Sequence, residues 1–324
     1  MQAIVVDQPG GPEVLVEQDL PEPKPGPGEL RVDVAASGVN YIDIYQRSGA
    51  YPMTTPFIVG SEGAGVVSAV GEGVTDVAVG DHVAWAMVTG AGYTAQAIVP
   101  ADRAVPVPDG VDDETAAAVL LQGMTAHYLS ESTYPVRAGD DVLVHAAAGG
   151  VELLLTQVVS HKGGRVIATT STPEKAKLAE EAGAADVIDY TQADIATEVR
   201  QLTGGAGVSV AYDGVGRATF DASLDSLRQR GMMVLFGASS GPVPPMDPQT
   251  LNRKGSLFLT RPTLAHHIAQ RDELLWRSSD VFDWVATGRL SVRIGGRYPL
   301  AEAAQAHQDL AARKTTGKLL LIPG

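Results

Sequence analysis

Residues 140–236 alternate short apolar runs with amphipathic stretches, and this alternation constrains the fold more than any other feature of the chain. The apolar runs lie at 140–145, 165–170, 186–189, 208–213 and 232–236. Between them, 151–162, 172–183, 193–202 and 218–228 carry apolar residues at helical spacing. Punctuation agrees: Gly163-Gly164 stops the first helix, Thr172-Pro173 offers an N-cap with proline at the first helical position, and Gly183 ends that helix. Parallel strands cannot be joined by a tight turn, so repeated strand–helix units imply a parallel sheet with helices crossing its faces. Right-handed crossovers then leave little but a doubly wound sheet.

The flanking segments have another texture. Residues 1–122 break into β-branched runs, such as 30–34, 65–70, 82–86 and 95–99, punctuated by Gly and Pro, the pattern of an all-β fold. Pro21-Glu22-Pro23-Lys24-Pro25-Gly26-Pro27-Gly28 lies too early to separate one domain from another, and proline's fixed φ makes it a rigid loop between strands. After the last strand–helix unit come an apolar run at 256–260, a helical stretch at 271–287 and a strand-like 317–322. A terminal strand beyond a finished sheet is most simply placed if the chain returns to the first domain. The expected layout is a β domain of residues 1–123 plus 262–324, with a Rossmann-like domain of residues 124–261 inserted in it.

Composition narrows the partners. The 324 residues carry 24 Lys plus Arg against 38 Asp plus Glu, a formal charge of −14, and no cysteine. The acidic balance repels phosphate backbones and anionic lipid, which points to a small-molecule partner and not to nucleic acid or membrane. Without cysteine there can be no disulfide, thiolate zinc site, iron–sulfur ligation or cysteine nucleophile. Asp7 interrupts the N-terminal apolar run, and no stretch approaches the roughly 20 apolar residues of a membrane span, so the cytoplasm is the expected location.

At the first strand-to-helix turn stands Ala147-Ala148-Gly149-Gly150-Val151-Glu152. A dinucleotide loop wants glycine at its first, third and sixth places, for the tight turn, the approach of backbone to pyrophosphate, and close helix–strand packing. Here Ala147 holds the first place, Gly149 the third and Glu152 the sixth. The match is imperfect, and its position at the mouth of the first strand–helix unit makes it the candidate phosphate loop. The second strand ends in Thr169-Thr170-Ser171-Thr172, with Lys175 a turn further on, where NAD sites place a carboxylate. Hydroxyls and a cation suit a 2′-phosphate, so NADPH is favoured over NADH. Gly237-Ala238-Ser239-Ser240-Gly241 matches a hydrolase nucleophile elbow, yet Pro242, Pro244 and Pro245 come after it and cannot start the required helix. The seven histidines show no metal-ligand spacing and read as structural or surface residues.

His145-Ala146-Ala147-Ala148-Gly149-Gly150-Val151, Gly38-Val39-Asn40-Tyr41-Ile42-Asp43, Arg47-Ser48-Gly49-Ala50-Tyr51-Pro52, Asp213-Gly214-Val215-Gly216 and Leu259-Thr260-Arg261-Pro262 together resemble the NADPH:quinone oxidoreductases. These form the zeta-crystallin-like, zinc-free branch of the medium-chain dehydrogenase/reductase superfamily. The resemblance spans essentially the whole chain. It implies an α/β protein in which a Rossmann doubly wound parallel sheet is inserted into a GroES-like β-barrel catalytic domain, usually as a homodimer. Carried over position by position, it implies cofactor contacts from Asn40, Thr125, Gly149, Gly150, Val151, Ser171, Lys175, Tyr190, Phe236, Gly237, Ala238, Ser239 and Arg313. Asn40 falls near the nicotinamide, and Tyr45 and Tyr51 match hydroxyl residues lining the substrate cleft. Zinc-dependent relatives carry Gly-His-Glu where this chain has Gly60-Ser61-Glu62, so no metal is expected.

The family has glycine where Glu152 stands. A carboxylate there crowds the helix–strand packing and sets negative charge beside a pyrophosphate, so weaker cofactor binding is expected unless the side chain points to solvent. The reaction that the resemblance implies is NADPH-dependent reduction of a quinone or conjugated carbonyl, with Tyr45, Tyr51 and Asn40 orienting the acceptor. Tyrosine hydroxyls are available to donate to a developing oxyanion at neutral pH. Two other readings remain: an enone or alkenal double-bond reductase, and a weakly active nucleotide-binding structural protein.

Overall fold

The computed structural model describes residues 1–324, which separate into two compact units. One comprises Met1–Met124 with His267–Gly324, the other Thr125–His266. The second unit holds a six-stranded sheet in the order Asp186–Asp189, Arg165–Thr170, Asp141–Val144, Val208–Asp213, Leu227–Leu235, Phe258–Thr260. All five pairings are parallel. The chain runs outward from Asp141–Val144 in one direction, then resumes on its other side with Val208–Asp213, which is the doubly wound order. Leu143, Ile167, Ala211 and Met233 of its strands pack with Val199, Phe220 and Leu224 of its helices into one buried core.

The helix expected at 218–228 is shorter, Phe220–Ser226, and the next strand starts early, at Leu227. Leu227 is buried in that core and pairs with Val208, with a register shift before Val210–Met232. Burial of one leucine outweighs the helical spacing of its neighbours. The apolar run at 256–260 supplies the sixth strand, Phe258–Thr260, at the sheet's edge.

In the first unit, the long strand Glu29–Val39 pairs antiparallel with Glu62–Val70, Gln96–Pro100 and Lys318–Ile322. The terminal strand thus returns to the β unit, as the sequence suggests. The helix Asp113–Tyr128 takes over the end of the segment whose texture reads as all-β, and a shorter helix, Tyr41–Arg47, interrupts its middle. Its side chains Asp43, Gln46 and Arg47 are buried, so polar bonding and not an apolar stripe holds it in place. No helix is long and apolar enough to cross a membrane.

Candidate active site

The strand Asp141–Val144 delivers the loop 145–149 into the helix Gly150–His161, with Gly149 as N-cap in extended backbone. Ala146 takes a left-handed φ of 51°, held by bonds on both sides. Its N–H donates to Thr169 Oγ1 at 3.2 Å, and its carbonyl accepts from Gly149 N–H at 2.8 Å. The first N–H groups of a helix have no partner within it, so this turn aims donors at an anion.

Glu152 lies in the first turn of that helix and is only partly exposed. Its carboxylate fills space that two glycines leave open. A Cβ on Gly149 would fall 3.1 Å from its Cδ and against Oε2, and a Cβ on Gly214 would fall 2.7 Å from Oε1. The carboxyl accepts only from its own N–H, and is pushed up to about 7, first by burial and then by the like charge of Asp213. The side chain is therefore turned inward.

Asp213 is fully buried and amply bonded. Oδ1 accepts from the N–H groups of Val215 (2.8 Å) and Gly216 (2.9 Å), and Oδ2 from the hydroxyls of Thr219 (2.7 Å) and Ser223 (2.9 Å). His145 Nε2 lies 2.8 Å from Ser223 Oγ, and burial lowers its pKa. The resulting rigid loop supports the next one: Phe236 N–H donates to Asp213 O at 2.9 Å and Ser239 N–H to Gly214 O at 3.1 Å. A Cβ on Gly237 would fall 2.8 Å from Gly214 Cα, so that close approach requires glycine. The expected loop residues Gly149, Gly150 and Val151 follow the first strand, Gly214 the fourth, and Phe236, Gly237 and Ser239 the fifth, so all lie at the carboxyl ends of the parallel strands.

At the end of the second strand, Thr172 Oγ1 caps the helix Pro173–Glu181 by accepting from Lys175 N–H at 3.3 Å. Thr170 carries a buried hydroxyl with no partner, Ser171 and Lys175 are half-buried, and Tyr190 is exposed, its N–H donating to Thr170 O at 3.1 Å. An orphaned hydroxyl, a second hydroxyl and a lysine, with no carboxylate within 169–172 and Glu174 on the next helix turn bonded to Thr172, fit a phosphorylated ribose. Thr125 is buried on the helix Asp113–Tyr128, and Arg313 is exposed with φ 57° beyond the helix Ala303–Ala311.

In the β unit, Asn40 caps the helix Tyr41–Arg47 and its carboxamide is fully engaged. Nδ2 donates to Glu62 Oε2 at 2.9 Å, and Oδ1 accepts from Lys318 Nζ at 2.8 Å. Lys318 also pairs with Glu62, and Glu62 Oε1 accepts from Leu121 N–H at 2.7 Å. Lys318 and Glu62 are both fully buried. Sequence reasoning missed this cluster, although its signal was present: Glu62 and Lys318 are lone charges opening strands of small and apolar residues. Beside it, Arg47 Nη1 lies 3.4 Å from His307 Nδ1, so Nε2–H donates to Tyr93 Oη (2.8 Å), which donates to Asp43 Oδ2 (3.0 Å). Burial drives Asp43 up to about 7 and His307 down to about 3.

Tyr45 and Tyr51 come together, ring centroids 5.2 Å apart, with Tyr51 N–H donating to Tyr45 O at 2.9 Å. Tyr51 is 43% exposed. No group of three or more His, Cys, Asp or Glu is arranged to hold a metal ion.

Among known families, an alcohol dehydrogenase GroES-like domain matches residues 26–109, and the family described as zinc-binding dehydrogenase matches residues 150–272. A quinone oxidoreductase of Pseudomonas aeruginosa is 45% identical over 97% of each chain, and a 2-haloacrylate reductase of Burkholderia is 40% identical over 100% of this chain and 99% of the other. Among solved structures, a mycobacterial protein complexed with NADPH superposes with a TM-score of 0.97 at 54% identity, covering 100% of both chains. The Escherichia coli quinone oxidoreductase complexed with NADPH gives 0.98 at 41% identity, again over 100% of both. Identity at this level along the full length of chains with the same fold shows that this chain belongs to the quinone oxidoreductase family of the medium-chain dehydrogenase/reductase superfamily, a family of oxidoreductase enzymes.

Proposed function

We propose that this enzyme uses NADPH to reduce a quinone. The observation that carries the cofactor is the end of the second strand, where the orphaned Thr170 hydroxyl, Ser171 and Lys175 stand in place of a carboxylate. Backbone N–H groups of Gly149, Gly150 and Val151 would hold the pyrophosphate, with Ser171, Lys175 and Tyr190 at the 2′-phosphate end. Thr125, Phe236, Gly237, Ser239 and Arg313 would complete the contacts. Bound NADPH supplies the hydride, and the protein supplies binding, orientation and electrostatics.

Tyr45 and Tyr51 would meet charge developing on the acceptor oxygen as hydrogen-bond donors. Asn40 orients the nicotinamide end, its amide face fixed by Glu62 and Lys318. No single donor is indispensable in this scheme. Tyr51→Phe is expected to lower kcat by about tenfold, and a loss near 10⁴-fold, the upper end of general acid catalysis, would overturn it.

The substrate assay monitors NADPH and NADH oxidation with an ortho-quinone, a para-quinone, a 2-alkenal, a 2-haloacrylate and no acceptor. Turnover on quinones with NADPH is the expected result. The 2-haloacrylate reductase relative favours a second reading, reduction of an activated double bond, which turnover on the alkenal or haloacrylate alone would establish. Turnover on none of them by folded protein would leave the structural reading. A homodimer is also proposed: Phe258–Thr260 ends its sheet, with Phe258 56% and Leu259 38% exposed. Light scattering that returns a single-chain mass at working concentration would overturn it.

A further inference from the structure

Glu152 sits where the dinucleotide's pyrophosphate needs uncharged backbone. Its carboxylate spans the phosphate loop and the loop after the fourth strand, with Oε2 toward Gly149 and Oε1 toward Gly214. The Phe236 ring packs over Gly214 from the loop after the fifth strand. The charged neighbour is Asp213, an anion whose own oxygens are occupied by Val215, Gly216, Thr219 and Ser223. His145, tied to Asp213 through Ser223, is held below its ordinary pKa by burial and brings no cation. Glu152 forms no ion pair and no hydrogen bond beyond the one from its own N–H.

Two negative charges cannot share this turn cheaply. The helix N-terminus favours one anion, and it does not neutralise both a carboxylate and a pyrophosphate. We propose that Glu152 is a proton-linked specificity residue of the cofactor site: the dinucleotide seats tightly only when the Glu152 carboxyl is neutral, so binding takes up one proton from solvent at this side chain. This rests on the NADPH reading of the site and goes beyond it, because a glycine in the same place would leave binding without that proton. The side chain's ionisation, displaced to about 7 in the free protein, places the effect in the neutral range.

Linkage sets the sign. Below the free-protein pKa the carboxyl is already neutral and affinity is at its ceiling. Above it each binding event must protonate Glu152, and the dissociation constant rises toward about tenfold per pH unit. The test is titration calorimetry of NADPH into wild type, Glu152→Gln and Glu152→Gly from about pH 6 to about pH 9, in two buffers of different ionisation enthalpy. A phosphate monoester titrates near pH 6 and contributes equally to all three proteins, so the difference between them isolates Glu152. Wild type is expected to take up close to one more proton than either variant at the alkaline end, with affinity converging among the three at the acid end. Binding by all three with the same pH dependence and the same proton uptake overturns the proposal while leaving the NADPH reading intact. Binding by none of them at any pH overturns both. Glu152→Gln keeps the shape and removes the charge, so the comparison holds even if Glu152→Gly repacks the turn.

Discussion

Glu62 in the β unit and Glu152 in the nucleotide-binding unit are both carboxylates drawn away from water, and their surroundings could hardly differ more. Glu62 is fully buried and receives Leu121 N–H, the Asn40 amide and the Lys318 ammonium. Glu152 is less buried, receives only its own N–H and faces the charge of Asp213. Burial raises the cost of a charge, and the donors at hand decide how much of that cost is offset. With partners, the carboxylate fixes Asn40 and ties the terminal strand to the barrel. Without them, it becomes a group whose proton comes and goes near neutral pH.

Taking the partner away from the first carboxylate should have the largest effect. Lys318→Met leaves Glu62 buried and unpaired, and denaturant unfolding should show a loss of about 3–5 kcal/mol. Adding Glu62→Gln should recover most of it, and a loss below about 1 kcal/mol in the single variant would erase the contrast with Glu152.

Taking the charge from the second carboxylate comes next. Glu152 is raised from 4.5, and Asp43 from 3.8, each to about 7. Over that window the folded state binds more protons than the unfolded one, so stability falls as pH rises from about 4 to about 7 and then levels. Glu152→Gln should flatten part of this slope, gaining on the order of 2 kcal/mol above pH 7 after allowance for partial exposure, and almost nothing near pH 4. Thermal unfolding across pH checks it, and an unchanged slope would place Glu152 in water.

At the end of the second strand the groups proposed to meet the ribose phosphate are hydroxyls and a lysine. Lys175→Ala should cut the preference for NADPH over NADH by about tenfold in kcat/KM. The smallest effect belongs to a local bond: Thr172→Ala removes a helix cap and should cost about 1 kcal/mol at every pH, with no shift in the pH profile.

Much of the nucleotide-binding unit is legible in the residues alone. The strands Arg165–Thr170, Asp186–Asp189 and Val208–Asp213 fall where their apolar runs predict, and Thr172-Pro173 starts its helix as read. The helix Tyr41–Arg47 was not legible, because it buries Asp43, Gln46 and Arg47 and shows no apolar stripe. Nor was the early start of the strand at Leu227, decided by one buried side chain against Val208. Glu152 was visible as an oddity, expected to crowd the helix–strand packing, with escape to solvent as the alternative. The turn inward toward Gly214 depends on a loop contributed by a later strand.

By itself the sequence determined the parallel sheet, the glycine-rich turn that opens its first helix and the hydroxyl run that ends the second strand, since periodicity, caps and residue chemistry act over a few neighbours. Tertiary structure alone decided which charges are paired. Lys318 and Glu62 are 256 residues apart and meet only because the terminal strand returns to the barrel, while Glu152 finds Asp213 and no cation because of where the fourth strand ends. Desolvation and pairing depend on distance through space, which residue order does not encode locally.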